Sequence, residues 1–211
     1  MDIAIIGSGN VGKALAGAAT RAGHSVTVAS AQPEHAKEAA RSAGARAANS
    51  SREAVRGVEA VVLAVPGPAL DAVIGDLRPD LAGKIVIDVT NRMNPADNST
   101  VLDGSSNAEQ LQAKVPDAKV VKAFNTAFAS RQANPSMGGS RADGYVAGND
   151  ADAKAQVLQL VESIGFRPVD AGDLYMARVL EGMALLNMTL QMRTNGSWQS
   201  AWQLTEPAGA S

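Results

Sequence analysis

Short apolar runs alternate along this chain with longer Ala-rich stretches whose apolar positions recur at helical spacing. The run Ile3–Ile6 predicts a buried strand, followed by a helix over Asn10–Ala22 and a second strand over Ser25–Ala29. Pro33 stands where a first helical turn begins, so a helix is expected to run on to Ser42. A third strand is weakly marked at Ala45–Ala47. "AVVLAVP" (Ala60–Pro66) and "KIVIDVT" (Lys84–Thr90) predict clearer buried strands, and "KVVKAF" (Lys119–Phe124) and "GYVAG" (Gly144–Gly148) two more. A helix from Asp150 to Ser163, a short strand Phe166–Val169 and a long helix from Asp173 to Met192 complete the pattern. Buried strands separated by helices imply an α/β fold: a doubly wound, mostly parallel sheet with right-handed crossovers.

Between these elements, Arg92–Ser106 is rich in Asn, Ser, Asp and Gly, and reads as an ordered functional loop rather than a linker. Near the C-terminus Trp198 and Trp202 stand four apart, positioned to close a partner's pocket or to cover the protein's own core. The final "EPAGAS" is expected to fray. All seven aromatic residues lie at or beyond Phe124, so the first half is built from Ala, Val, Ile, Leu and Gly, as suits a parallel sheet under small-residue helices.

Composition narrows the function classes. With 45% hydrophobic and 19% charged residues, the chain should form a packed globule. A formal net charge of -2 without a basic block argues against a nucleic-acid or anionic-membrane surface. The absence of cysteine excludes disulfides, thiol catalysis and thiolate metal sites, and no His, Asp or Glu cluster has metal-ligand spacing. No basic n-region and no apolar span long enough for a membrane is visible, so a cytoplasmic location is expected.

"IAIIGSGNVGKALA" carries Gly7-x-Gly9-x-x-Gly12 between a predicted strand and helix. Gly7 permits the tight turn, Gly9 lets the backbone approach a pyrophosphate, and Gly12 allows helix and strand to pack closely. The helix N-terminus then offers free N–H groups and a partial positive charge to phosphates. "AVPGPA" (Ala64–Ala69) ends a later strand at the same carboxyl edge, where ligands of such sheets lie. Selection of NAD normally uses an acid on the ribose 2′-hydroxyl, at the end of the second strand. Here that position reads Ser30-Ala31-Gln32, and the first acid is Glu34, beyond Pro33. Without a carboxylate a 2′-phosphate is not repelled; Ser8 and Ser30 can donate hydrogen bonds and His35 a partial charge. NADP(H) is therefore expected over NAD(H).

Proton carriers are scarce. His24 and His35 both sit near the second strand, on the adenosine side of any dinucleotide, and His24 reads as a turn residue. No Lys or His follows Lys154, which counts against the β-hydroxyacid dehydrogenases, whose N-terminus is similar but whose helical domain supplies a lysine. Tyr145 and Tyr175 read as packing residues; Lys122, inside an apolar strand, could orient its neighbours, but a stem laid along the sheet is the simpler reading. Hydride transfer between two stacked rings needs orientation and exclusion of water rather than a proton donor, and fits this inventory.

Taken with "KIVIDVTN", "GSSNAEQLQAKVPDAKVVKAFNT", "GFRPVDAGDLYMARVLE" and "NMTLQMRTNG", the motifs over residues 2–196 resemble the NADPH-dependent oxidoreductases of the deazaflavin coenzyme F420. The dinucleotide domain of membrane metalloreductases has a similar "VKAFN" run. The resemblance implies a Rossmann-type domain over residues 1–170 and a small C-terminal helical extension, 171–211, that completes the second-substrate pocket. It implies a homodimer exchanging hydride between deazaflavin and nicotinamide, with no catalytic proton donor.

Carried onto this sequence, Gly7, Ser8, Gly9, Asn10, Val11 and Gly12 would hold the pyrophosphate, and Ser8 and Ser30 would assist the 2′-phosphate. Ala64, Val65 and Pro66, with Ala123, Phe124 and Asn125, would line the nicotinamide. Asn91, Ser105, Ser106, Arg178, Glu181 and Met183 would face the second ring or complete its pocket. Two departures stand out. The family commonly reads Gly-Ser-Arg where this chain reads Ala29-Ser30-Ala31, and Arg92 replaces a common proline. The same scaffold reducing a flavin, quinone or small carbonyl compound, or serving as a non-catalytic NADP(H) sensor, stays open.

Overall fold

The computed structural model describes residues 1–92 and 104–205. Among the described residues eight strands form one sheet in the order β3-β2-β1-β4-β5-β6-β7-β8. The strands are β1 (Asp2–Ile6), β2 (Ser25–Ala29), β3 (Arg46–Ala47), β4 (Ala60–Leu63), β5 (Ile85–Asp88), β6 (Lys119–Ala123), β7 (Asp143–Gly148) and β8 (Arg167–Gly172). Every neighbouring pair is parallel except β6 and β7. The helices are α1 (Asn10–Arg21), α2 (Pro33–Ala43), α3 (Ser51–Ala54), α4 (Gly67–Leu77), α5 (Asn107–Lys114), α6 (Ala129–Ala133), α7 (Ala151–Ser163) and α8 (Ala177–Arg193).

Strands β1, β4, β5 and β6 are almost wholly buried, which is why they read as continuous apolar runs rather than alternating ones. One apolar cluster packs α1, α2 and α7 against one face of the sheet, and a second packs α4, α5 and the start of α8 against the other. The order reverses between β1 and β4, so a crevice opens beyond their carboxyl ends.

The predicted elements recur with small shifts. Strand β4 ends at Leu63 rather than Pro66, because Pro66 caps α4. Strand β8 runs to Gly172, past position 170, and a 3-10 turn (Leu174–Met176) precedes α8. The expected loop after Arg92 falls largely on 93–103, and the expected fraying of "EPAGAS" on 206–211; both lie outside the described residues.

The C-terminal segment folds back on its own sheet. The Asp143 amide donates to the Trp202 carbonyl (2.9 Å), and the Leu204 amide donates to the Asp143 carboxylate (2.6 Å). Trp198 packs edge-on against Phe128, with centroids 5.2 Å apart. The two tryptophans therefore make contacts within their own chain.

Candidate active site

The crevice between β1 and β4 is a cleft of about 690 Å³. Gly7, Ser8, Gly9, Asn10 and Val11 form its floor, Ser30, Ala31, Gln32, His35 and Ser51 one end, and Ala64, Val65 and Pro66 a wall. Val89, Thr90, Asn91 and, from α8, Met188 close the other end. Backbone sterics set the floor. Gly7 has φ +122°, and a Cβ there would lie 2.1 Å from the Ala64 carbonyl oxygen. At Gly12 a Cβ would lie 2.0 Å from the Gly7 carbonyl oxygen, so this glycine holds α1 against the turn. A Cβ at Gly9 meets nothing within 4 Å, leaving backbone open to a ligand. The first turn of α1 contains no acidic residue and Gly9 supplies no side-chain cap, an arrangement that suits a pyrophosphate.

The ribose end is polar but has little charge. Ser30 Oγ donates to the Gln32 carbonyl (2.7 Å) and accepts from the Gln32 amide (3.2 Å), so its proton is committed within the turn. Ser51 and Met188 were not foreseen. The Ser50-x-x-Glu53 cap that places Ser51 is legible as a helix-start signal; Met188 lies in the "NMTLQMRTNG" run, which the resemblance covers without assigning it a role.

Behind the opposite end lies a buried ionic cluster. Lys122 is 0% exposed; its Nζ donates to Asp88 Oδ2 (2.9 Å), to Glu181 Oε1 (2.7 Å) and to the Thr90 carbonyl. Asp88 Oδ1 accepts from the Thr90 amide (2.9 Å) and hydroxyl (2.7 Å). Glu181 also accepts from the amides of Asn107 (2.9 Å) and Arg92 (3.3 Å). Burial pushes the Glu181 carboxyl above its usual range and Asp88 adds to the push, against the pull of Lys122. The stem-along-the-strand reading of Lys122 is thus corrected: its ammonium is the hub joining β5, β6, α5 and α8. In sequence, one lysine and one aspartate in neighbouring apolar strands were the available signal, and the sheet pairs them directly.

Several expected pocket residues face elsewhere. Ala123 and Phe124 are buried and do not line the cleft, because Phe124 (φ +63°) turns the chain and seats its ring against Phe166. Asn125 lies behind the wall: its Nδ2 donates to Asn91 Oδ1 (2.9 Å) and to the Leu180 carbonyl (3.0 Å). Ser106 is buried as the cap of α5, and Glu181 belongs to the ionic cluster.

A separate apolar groove of about 460 Å³ is lined by Gly104, Ser105, Arg178, Val179, Gly182, Met183 and Leu186. Here three of the expected second-pocket residues, Ser105, Arg178 and Met183, do come together. The Arg178 guanidinium is held by Glu109 (2.6 and 2.8 Å) and lies 4.6 Å from the Tyr175 ring centroid. Arg92 links groove to cleft: it follows Asn91 in the chain and donates to the Ser105 carbonyl (3.2 Å). Among the described residues no cluster of three or more His, Cys, Asp or Glu could hold a metal, and no helix is long and apolar enough to cross a membrane.

Residues 2–92 match the family model of coenzyme F420-dependent NADP oxidoreductases. The F420-dependent NADP reductase of Methanothermobacter marburgensis is 30% identical over 217 residues, covering 92% of this chain and 94% of that protein. The chain belongs to the F420-dependent NADP oxidoreductase family. That family is one of NADP-dependent oxidoreductases. The crystal structure of a candidate F420-dependent NADP-reductase from Arthrobacter sp. FB24 superposes with a TM-score of 0.86 at 30% identity, over 97% of this chain and 100% of that one. Rat metalloreductase STEAP3 is 33% identical over 184 residues, 87% of this chain, but the chain spans only 36% of that protein's length.

Proposed function

We propose that the protein transfers hydride between NADP(H), held in the cleft, and the deazaflavin coenzyme F420, held by the C-terminal extension. The observation that carries this reading is the chemistry of the far end of the cleft: Val89, Thr90, Asn91 and Met188 include no Lys, His, Tyr or carboxylate. Such a wall orients rings and excludes water but moves no proton, which suits hydride exchange between two ring systems. The dinucleotide supplies the hydride-carrying nicotinamide. For their part, Gly7 to Val11 and the N-terminus of α1 hold its pyrophosphate, and Ala64 to Pro66 form a wall beside it. Asn91, braced by Asn125, fixes the nicotinamide end, and the groove beside Ser105, Arg178 and Met183 takes the second ring.

NADP(H) is favoured over NAD(H) because the ribose end carries Ser30, Ala31 and Gln32 and no carboxylate. We further assign residues 1–170 to cofactor binding and 171–211 to completing the second pocket, in a cytoplasmic homodimer. The similarity to STEAP3 supports a second reading, in which the same scaffold passes electrons to a different acceptor.

The test follows the absorbance of reduced F420 on addition of NADP+ and, separately, NAD+. Oxidation that is faster with NADP+ is the expected result. Tight dinucleotide binding without turnover would overturn F420 as the partner and favour the second reading.

A further inference from the structure

Among the described residues that line the cleft, His35 is the one ionisable side chain. It is exposed in the first turn of α2, at the end of the cleft that also holds Ser30, Ala31, Gln32 and Ser51. The other groups at this end offer an anion only neutral donors. Ser30 spends its proton on the Gln32 carbonyl, and Ala31 has no donor. The charged groups around His35 are paired with other residues or lie at the far end of α2. On α2, Glu34 pairs with Lys37 (2.7 Å), and Glu38 pairs with Lys13 of α1 (3.6 Å). Arg46 of β3, which packs on α2, donates to Ser25 (3.1 Å), and Arg41 lies in the last turn of α2, at the opposite end of the helix. On α3, Arg52 pairs with Asp76 (3.0 Å), and Glu53 accepts from the Asn49 amide.

We propose that His35 is the specificity-determining residue for the ribose 2′ position: its imidazolium pairs with a 2′-phosphate, so that discrimination of NADP(H) from NAD(H) is coupled to proton uptake. This rests on the dinucleotide reading of the cleft but not on the identity of the hydride acceptor. Histidine is the side chain whose ordinary charge change falls between pH 5 and 8. A phosphate monoester keeps much of its second charge down to about pH 6. The two charges therefore coexist at mildly acidic pH, and the preference for the 2′-phosphate is greatest there. An arginine in this position would give a preference independent of pH; the histidine makes it adjustable.

Calorimetric binding of adenosine 2′,5′-bisphosphate and of 5′-AMP, from pH 6 to 8.5, tests this directly, because the two probes differ only at the 2′ position. In the wild type the affinity ratio should rise about tenfold between pH 8.5 and pH 6.5, the scale of one charge-assisted hydrogen bond. His35→Ala should lower the ratio at pH 6.5 by a similar factor and remove the rise. His35→Gln, which keeps a neutral donor, should also lose the rise. His35→Arg should hold the ratio high at every pH. A ratio in His35→Ala that tracks the wild type at each pH would overturn the proposal. If the wild type binds neither probe nor NADPH, this proposal and the cofactor reading fail together. The expected pH dependence without turnover of reduced F420 removes the acceptor reading alone.

Discussion

At the pyrophosphate end of the cleft the wall is backbone: Gly7 and Gly12 are packed so closely that a methyl group on either meets a carbonyl oxygen. At the other end the wall Val89–Asn91 is propped from behind by side chains from β5, β6 and α8 that meet at the Lys122 ammonium, with the Asn107 backbone amide of α5 donating to Glu181. At the first end the Gly12 contact lies within one strand–turn–helix unit, and the Gly7 contact reaches only to Ala64 at the end of the neighbouring strand β4. The second exists only after segments about ninety residues apart have come together. A local constraint of the first kind tolerates no side chain at all. A charged cluster of the second kind tolerates change only if its charges change together.

Gly7→Ala breaks the first end outright. The new Cβ meets the Ala64 oxygen at 2.1 Å in a backbone region that disfavours any side chain, so nothing flexible can give way. We expect a loss on the order of 5 kcal/mol in unfolding free energy and no measurable NADPH binding. A variant with normal urea unfolding and normal binding would mean the turn opens readily.

Lys122→Met breaks the second end by leaving Asp88 and Glu181 buried without their cation. Removing one partner of such a cluster costs roughly 3–5 kcal/mol, because the remaining charge stays desolvated. The double variant Lys122→Met with Glu181→Met sharpens the point. Asp88 keeps its bonds from the Thr90 amide and hydroxyl, so the double variant should be more stable than Lys122→Met alone. Additive losses in denaturant titrations would show that the two residues do not act as one unit.

This contrast explains which features are legible in the sequence. The glycine spacing, the run of apolar strands and the missing acid after β2 are local, and each carries its mechanism on its face. The fold class and the cleft floor followed from them. Lys122, Asp88 and Glu181 carry no local signal of partnership, and the family resemblance alone puts Ala123–Asn125 in the pocket lining. The positive φ at Phe124 sends that segment into the core instead, and only Asn125 reaches the wall, from behind. Ser30 shows the same limit on a smaller scale: its hydroxyl is at the expected place but already hydrogen-bonded to Gln32.

Ala31→Arg adds to the ribose end what the family pattern has and this chain lacks. A charge-assisted bond to a 2′-phosphate contributes about 1.5–3 kcal/mol, so affinity for NADPH should rise roughly tenfold to a hundredfold relative to NADH. Fluorescence titration with both coenzymes reads the ratio. Equal gains for the two would mean that position 31 does not face the 2′ group.

The smallest effect is a slope. The Glu181 carboxyl is held above its usual range by burial, so in the folded protein it retains a proton that the unfolded chain gives up near pH 4.3. Its contribution to stability is therefore fully present below that value and is lost as pH rises through the higher folded value. Asp143 has the opposite sign. Burial works against its charge, but the Arg167 fork, the Leu204 amide and the Tyr145 hydroxyl together hold it below its usual range. That contribution is present above the unfolded value and lost as pH falls. Comparing wild type with Glu181→Gln by urea unfolding between pH 4.5 and 7.5 cancels Asp143, which is common to both, and isolates Glu181. The stability of the wild type relative to the variant should fall steadily as pH rises. A difference that grows with pH would mean that attraction to Lys122 outweighs desolvation.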